Sequence, residues 1–259
     1  MGKTETSDDT TKKPEAPKNA DGQSPPAADG AGWQRQGRVL WKEWVKPLLI
    51  IGLVMFSFRS AVADWNDVPT GSMKPTILEG DRIFINKVAY DLKVPFTTIR
   101  LAMWDDPEWG DVVVLRSPED KKRLVKRVVG LPGDTIEIRG NYLIRNDEAA
   151  EYSRLDPNFI NQIDSAERRI NTFAAEELEG RRHPIMSSLR AMGSPRGPFV
   201  VPDGHFFVMG DNRGNSRDSR YFGTVHRNEI LGEATAVALS FDREDYWKPR
   251  WQRFFSKLP

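Results

Sequence analysis

Three polar segments carry residue types able to do covalent chemistry. In the first, Pro69-Thr70-Gly71-Ser72-Met73-Lys74-Pro75-Thr76-Ile77, a serine follows glycine at a bend bounded by prolines. A sharp bend exposes backbone N–H groups beside the hydroxyl, as a nucleophile and an oxyanion hole both require. Thr70, two residues upstream, offers a second hydroxyl donor. Taken alone, the same cluster describes any turn. The second segment, residues 123–130 (RLVKRVVG), alternates as a strand does. Leu124, Lys126 and Val128 share one face; Val125, Arg127 and Val129 share the other. A lysine between apolar neighbours is a candidate for burial, which lowers an ammonium pKa from about 10.4 toward a base's working range. Arg127 cannot be neutralised this way and reads as structural. Taken alone, this segment favours another reading of Lys126, an edge-strand lysine that discourages aggregation. The third segment, Met209 to Gly223, interleaves Asp211, Arg213, Ser216, Asp218 and Arg220. Its density of committed donors and acceptors fits a rigid support for a neighbouring site. It lacks the alternating register and twelfth-position Glu of a calcium loop.

Other chemistries are poorly supplied. The 259 residues contain no Cys, which removes disulfides, thiolate metal sites and thiol nucleophiles. Three histidines (His183, His205, His226) stand far apart, without ligand spacing. With 38 Lys and Arg against 37 Asp and Glu, the net charge of +1 favours no polyanionic partner. Neither nucleic acid nor metal is therefore expected.

The elements that position these segments follow from composition. Residues 1–40 hold little to bury and read as a disordered tail. Residues 41–63 are a candidate membrane anchor, with Pro47 to Phe58 uncharged and Arg59 near one end. Trp41, Trp44 and Trp65 flank the uncharged stretch. Arg35, Arg38, Lys42 and Lys46 precede that stretch, so the positive-inside rule places the N-terminus in the cytoplasm. A cleaved leader is the alternative, since Ala61-Val62-Ala63 is itself an A-x-A pattern. Residues 64–259 read as an exterior β-rich domain, with its core at about 64–145 and 199–245 and an insertion at about 146–198. Arg82–Val88 and Asp134–Ile138 alternate, whereas Asp111–Leu115, Phe206–Met209 and Thr235–Leu239 read as strands buried on both faces. Within the insertion, Ser165–Leu178 reads as helical and Met192–Pro198 as loop.

Together, behind this anchor and in this order, the three segments resemble bacterial type I signal peptidases. The family pattern P-S-G-S-M-x-P-T-L matches Pro69 to Ile77, K-R-V-x-G-L-P-G-D matches Lys126 to Asp134, and G-D-N-R-D-N-S-x-D-S-R-Y-W-G matches Gly210 to Gly223. Shorter blocks match at Gly80-Asp81, at Gly110 to Val113, and at Gly180 to Ile185. The resemblance covers roughly Trp41 to the C-terminus. It implies a mainly β fold, an antiparallel catalytic domain with a second variable β region behind one transmembrane helix. It also implies a serine endopeptidase that removes signal peptides from exported preproteins after small residues, without metal or organic cofactor. Ser72 would be the nucleophile and Lys126 the general base. The Ser72 N–H and the Thr70 side chain would form the oxyanion hole. Ser216 would hydrogen-bond and orient Lys126, Asp211, Arg213, Asp218 and Arg220 would brace the site, and Met73 would lie near the substrate cleft. The expected location is the bacterial plasma membrane, with the catalytic domain on the exterior face. Trp104, Trp109 and Phe96 would form an apolar surface that dips into the bilayer, or else ordinary core. Thr70, Gly214 and Phe222 depart from the commoner Ser, Asp and Trp. Two other readings are a specialised processing peptidase of the same Ser/Lys type and a non-catalytic, membrane-tethered β scaffold.

Overall fold

The structure is a computed structural model that describes residues 39–94, 97, 99–189 and 196–259. The expected disordered tail, except for Val39 and Leu40, lies outside the described residues, as do Phe96 and the expected loop's first residues, 192–195. The chain divides into two compact units, Met1–Val54 and Met55–Pro259. In the first unit a π-helical turn, Trp41–Val45, runs into helix α1, Lys46–Ala61, which continues into the second. Leu48 to Ile51, Leu53 and Val54 are all more than half exposed, so the helix is apolar and uncovered around its circumference. Among the described residues no helix is long and apolar enough to cross a membrane.

The second unit is mainly antiparallel β. Its strands, in chain order, are β1 (Ala63–Asp67), β2 (Asp81–Asn86), β3 (Asp91–Lys93), β4 (Arg100–Met103), β5 (Val112–Arg116) and β6 (Arg123–Gly130). There follow β7 (Thr135–Arg139), β8 (Tyr142–Arg145), β9 (Glu148–Ala149), β10 (Glu151–Ser153), β11 (Asn171–Leu178) and β12 (Arg181–Ser188). The last are β13 (Arg196–Val200), β14 (His205–Met209), β15 (Val225–His226), β16 (Ile230–Asp242), β17 (Lys248–Pro249) and β18 (Ser256–Lys257). The main sheet runs β1-β2-β16-β5-β6-β14-β15, with β17 and β18 also paired to β16. Bulges along β16 let it bend while serving both β2 and β5. At Gly232 the strands approach so closely that a Cβ would lie 2.6 Å from the Asn86 carbonyl.

Apolar clusters cover both faces of the sheet. Val112 and Val114 pack with Met73, Ile77, Ile83 and Ile85, and Val113 and Leu115 pack with Val128, Phe206 and Val208. The continuous apolar runs of β5 and β14 are thus buried on both faces. Thr235–Leu239 differs from expectation: only Val237 in that stretch is fully buried, and the two residues on either side of it are half-buried. Trp109 takes the core alternative, being 3% exposed inside a third cluster with Val129, Phe207 and Met209. Trp104 stays exposed on the β3–β4 hairpin, beside exposed Ile99, Leu101 and Met103.

Further sheets join β13-β7-β8-β9 and β10-β11-β12. The helix expected over Ser165–Leu178 stops at Ile170, and Asn171–Leu178 is strand β11. The Asp164 side chain caps the short helix by accepting the Ala166 N–H at 2.7 Å. Glu179 and Gly180 then take positive φ, 52° and 75°, as a two-residue hairpin turn demands. Eight register pairs with β12 outweigh the local helical preference. Arg196–Pro198, expected as loop, begin β13.

Candidate active site

Ser72 occupies a 3-10 turn, Gly71–Met73, held down by burial of Met73 and Ile77. Asn212 fixes the turn from above: its N–H donates to the Ser72 carbonyl at 3.1 Å and its Nδ2 to the Gly71 carbonyl at 3.0 Å. The first N–H groups of a helical turn find no acceptor inside it, which leaves the Ser72 N–H available. Thr70 precedes the turn in extended conformation, exposed, with no side-chain hydrogen bond to it.

Lys126 comes from β6 and is 2% exposed. Its Nζ donates to Ser72 Oγ at 2.8 Å and to the Val125 carbonyl at 3.0 Å. Its face-mates Leu124 and Val128 pack in the apolar cluster around Phe206 and Val208. Burial pulls its pKa from 10.5 down to about 8, against the opposing carboxylates of Asp218 and Asp211, while Arg220 adds to the lowering. About a tenth of the amine is then neutral at pH 7, and a neutral amine in this place can accept the serine proton.

The Gly210–Gly223 loop braces this pair through buried ion pairs. Asp211, fully buried, takes two hydrogen bonds from Arg127, at 2.9 and 2.7 Å, and one from the Thr76 hydroxyl. Arg127 also donates to the Gly110 carbonyl at 2.7 Å. Asp218 accepts the Gly210 N–H at 2.9 Å and a bidentate pair from Arg220, both at 2.8 Å. Arg220 reaches the Arg213 carbonyl at 2.8 Å, which closes the loop on itself. Although burial opposes it, Arg127 and Arg220 hold the carboxyls of Asp211 and Asp218 respectively below the ordinary value, so both stay ionised.

Two expected positions differ. Ser216 does not hydrogen-bond Lys126: its buried Oγ has no hydrogen-bond partner among the described residues. It lies against Gly210, where a Cβ would meet it at 2.3 Å and the Ser72 carbonyl at 2.4 Å. From there it also helps hold Asp218 ionised without full hydrogen-bond geometry. Met73 does not line an accessible cleft; it is 1% exposed and forms the apolar base of the turn. Gly214, where the family pattern has Asp, backs onto Ser188 so closely that a Cβ would lie 2.7 Å from its N–H nitrogen. Phe222 packs against the Val128–Phe206 cluster.

The three motifs contain no sign of Glu176. Fully buried on β11, it accepts from Arg213 Nη1 at 2.8 Å and from the Tyr152 hydroxyl at 2.6 Å, and His183 Nε2 lies 3.2 Å away. Burial, then nearby Arg127, push the His183 imidazole below its usual pKa. This network ties β10-β11-β12 to the supporting loop, reinforced by backbone bonds between Met186 and residues 211 and 213. Residue order offered no signal for it: NTFAAEEL does not alternate, and the helical reading covered it.

The sequence matches the family model described as "Signal peptidase, peptidase S26" over residues 41–239. A signal peptidase I of Pseudomonas fluorescens is 40% identical over 207 residues, covering 75% of this chain and 70% of that protein. One of Pseudomonas aeruginosa is 36% identical over 210 residues, again covering 75% and 70%. Signal peptidase I P of Bacillus subtilis subsp. natto is 34% identical over 202 residues, covering 78% of this chain and 90% of the relative.

Proposed function

The chain belongs to the signal peptidase family, peptidase S26, a family of serine-protease hydrolases, and we propose that Ser72 and Lys126 form the dyad with which it cuts signal peptides from exported preproteins. The observation that carries this reading is the 2.8 Å contact from a buried lysine to the serine hydroxyl. Neutral Lys126 takes the Ser72 proton as Oγ attacks the scissile carbonyl. The developing oxyanion is held by the Ser72 N–H with the Thr70 hydroxyl. The Lys126 ammonium then protonates the leaving amine, and an acyl-enzyme remains on Ser72. Water, deprotonated by Lys126, releases it. Asp211, Arg213, Asp218, Arg220 and Arg127 hold the dyad in place, and no step requires a metal or cofactor.

The substrate strand adds to a sheet edge, with small residues at the cut and two before it (an A-x-A pattern). Residues 41–63 anchor the enzyme in the bacterial plasma membrane, N-terminus in the cytoplasm and catalytic domain outside. Tethering concentrates it where precursors arrive. The exposed apolar residues of β3–β4, Trp104 among them, give a second contact with the bilayer.

Incubating detergent-solubilised full chain with a secretory precursor tests this reading. Cleavage directly after the A-x-A pattern, read by mass spectrometry, is the expected outcome. An intact precursor would favour the scaffold reading, and cuts elsewhere would reject the specificity. Protease added to the exterior face should digest the β domain; protection from that side would reverse the orientation.

A further inference from the structure

A cleft of about 800 Å³ opens beside Ser60, where α1 ends, between the main sheet and the β3–β4 hairpin. Five cations line it against two carboxylates. Three of the five are matched. Lys87 Nζ pairs with Asp64 at 3.2 Å, while Lys93 and Arg100 converge on buried Asp91 at 2.6 and 2.8 Å. The second lining carboxylate, Glu229, is held by Lys121 at 2.7 Å.

Arg116 and Arg123 are left over. They are direct cross-strand partners on β5 and β6, and so share one face of the sheet. The Arg116 side chain makes no ion pair or hydrogen bond among the described residues. Arg123 reaches the Asn66 side chain at 3.3 Å and comes only within 3.9 Å of Asp64, a carboxylate already held by Arg59 and Lys87. Like charges set directly opposite each other destabilise a sheet. An anion spanning both guanidinium forks removes that cost, and phosphate suits the forks.

The rim identifies the anion's carrier. Ile99 lines the cleft and is more than half exposed, as are Leu101, Met103 and Trp104 beyond it. Free phosphate has nothing to set against this apolar lip, whereas a phospholipid has acyl chains. A zwitterionic headgroup brings its own cation to an already positive cleft. Building on the membrane reading above, we propose that Arg116 and Arg123 bind the phosphodiester headgroup of an anionic phospholipid, whose chains lie against the β3–β4 hairpin.

The test uses the full chain in neutral detergent micelles, with bound lipid counted by native mass spectrometry. Wild type should retain phosphatidylglycerol in preference to phosphatidylcholine. The Arg116→Gln/Arg123→Gln double variant should lose about thirtyfold in phosphatidylglycerol affinity, two arginines each contributing about fivefold near an anionic surface. It should still cleave the precursor at the wild-type rate in neutral micelles. Equal retention of the two lipids by wild type would overturn the proposal, as would displacement of phosphatidylglycerol by an equal concentration of glycerol 3-phosphate. Impaired precursor cleavage in neutral micelles would also overturn it, by assigning the pair to the substrate chain. Vesicles washed in alkaline carbonate separate the two readings. A chain retained there without lipid preference refutes only the headgroup site, and a chain that washes off refutes the anchor as well.

Discussion

Replacing Lys126 with Ala should lower precursor cleavage by about 10^4-fold or more, the loss seen when a member of a nucleophile–base unit is removed. Lys126→Arg should be equally inactive. A guanidinium stays charged in any accessible pH range, so it can donate to Ser72 Oγ but never take its proton. Arginine therefore separates the base from a merely hydrogen-bonding or structural cation. Appreciable cleavage by the arginine variant would remove the general-base role. Inactivity would not reflect unfolding. Lys126 binds its proton less tightly in the fold than in the unfolded chain, 10.5 falling to about 8. Between these values the unfolded state holds more protons, so stability rises with pH across that window. Below about 8 the fold carries the whole penalty, about 3 kcal/mol. Lys126→Met, similar in volume and without charge, should thus be at least as stable as wild type at neutral pH and lose that slope, as urea unfolding would show.

Asp211→Ala should destabilise the catalytic domain by about 3–5 kcal/mol, because it leaves a buried arginine without its partner. Arg127 is 1% exposed and gives Asp211 two of its donors; only its Nη1 bonds to backbone carbonyls remain to it. Thr76 loses its acceptor as well, freeing the segment just after Ser72. Thermal unfolding should move down on the order of 10 °C. The paired replacement Arg127→Met/Asp211→Leu removes both charges and should recover most of that loss. A single variant within about 1 kcal/mol of wild type would mean that water reaches Arg127 and the pair is not a dry brace.

Much of this was readable from residue order, because local periodicity carries information about local structure. The alternation of residues 123–130 put Lys126 on the face of Leu124 and Val128, and the apolar run of β5 predicted burial on both faces. What sequence left open was whether that face is dry, since burial depends on Phe206 and Val208 arriving from a strand some eighty residues away. Long-range pairing also explains the errors. Residues 171–178 carry helix-compatible side chains but face β12 in continuous register. For Trp109 the sequence left surface and core both open, and enclosure by Val129 and Phe207 decides for the core. Ser216 was placed beside Lys126 by resemblance, whereas close packing at Gly210 fixes where its hydroxyl lies.

The pH dependence of kcat/KM on a secretory precursor tests the dyad most directly, because that ratio reports the free enzyme's essential base. Only the neutral amine can accept the Ser72 proton. Activity should therefore climb about tenfold per pH unit below pH 8 and level off above it, following Lys126 at about 8. A profile that is flat through this range, or one that falls with rising pH, would contradict Lys126 as the base.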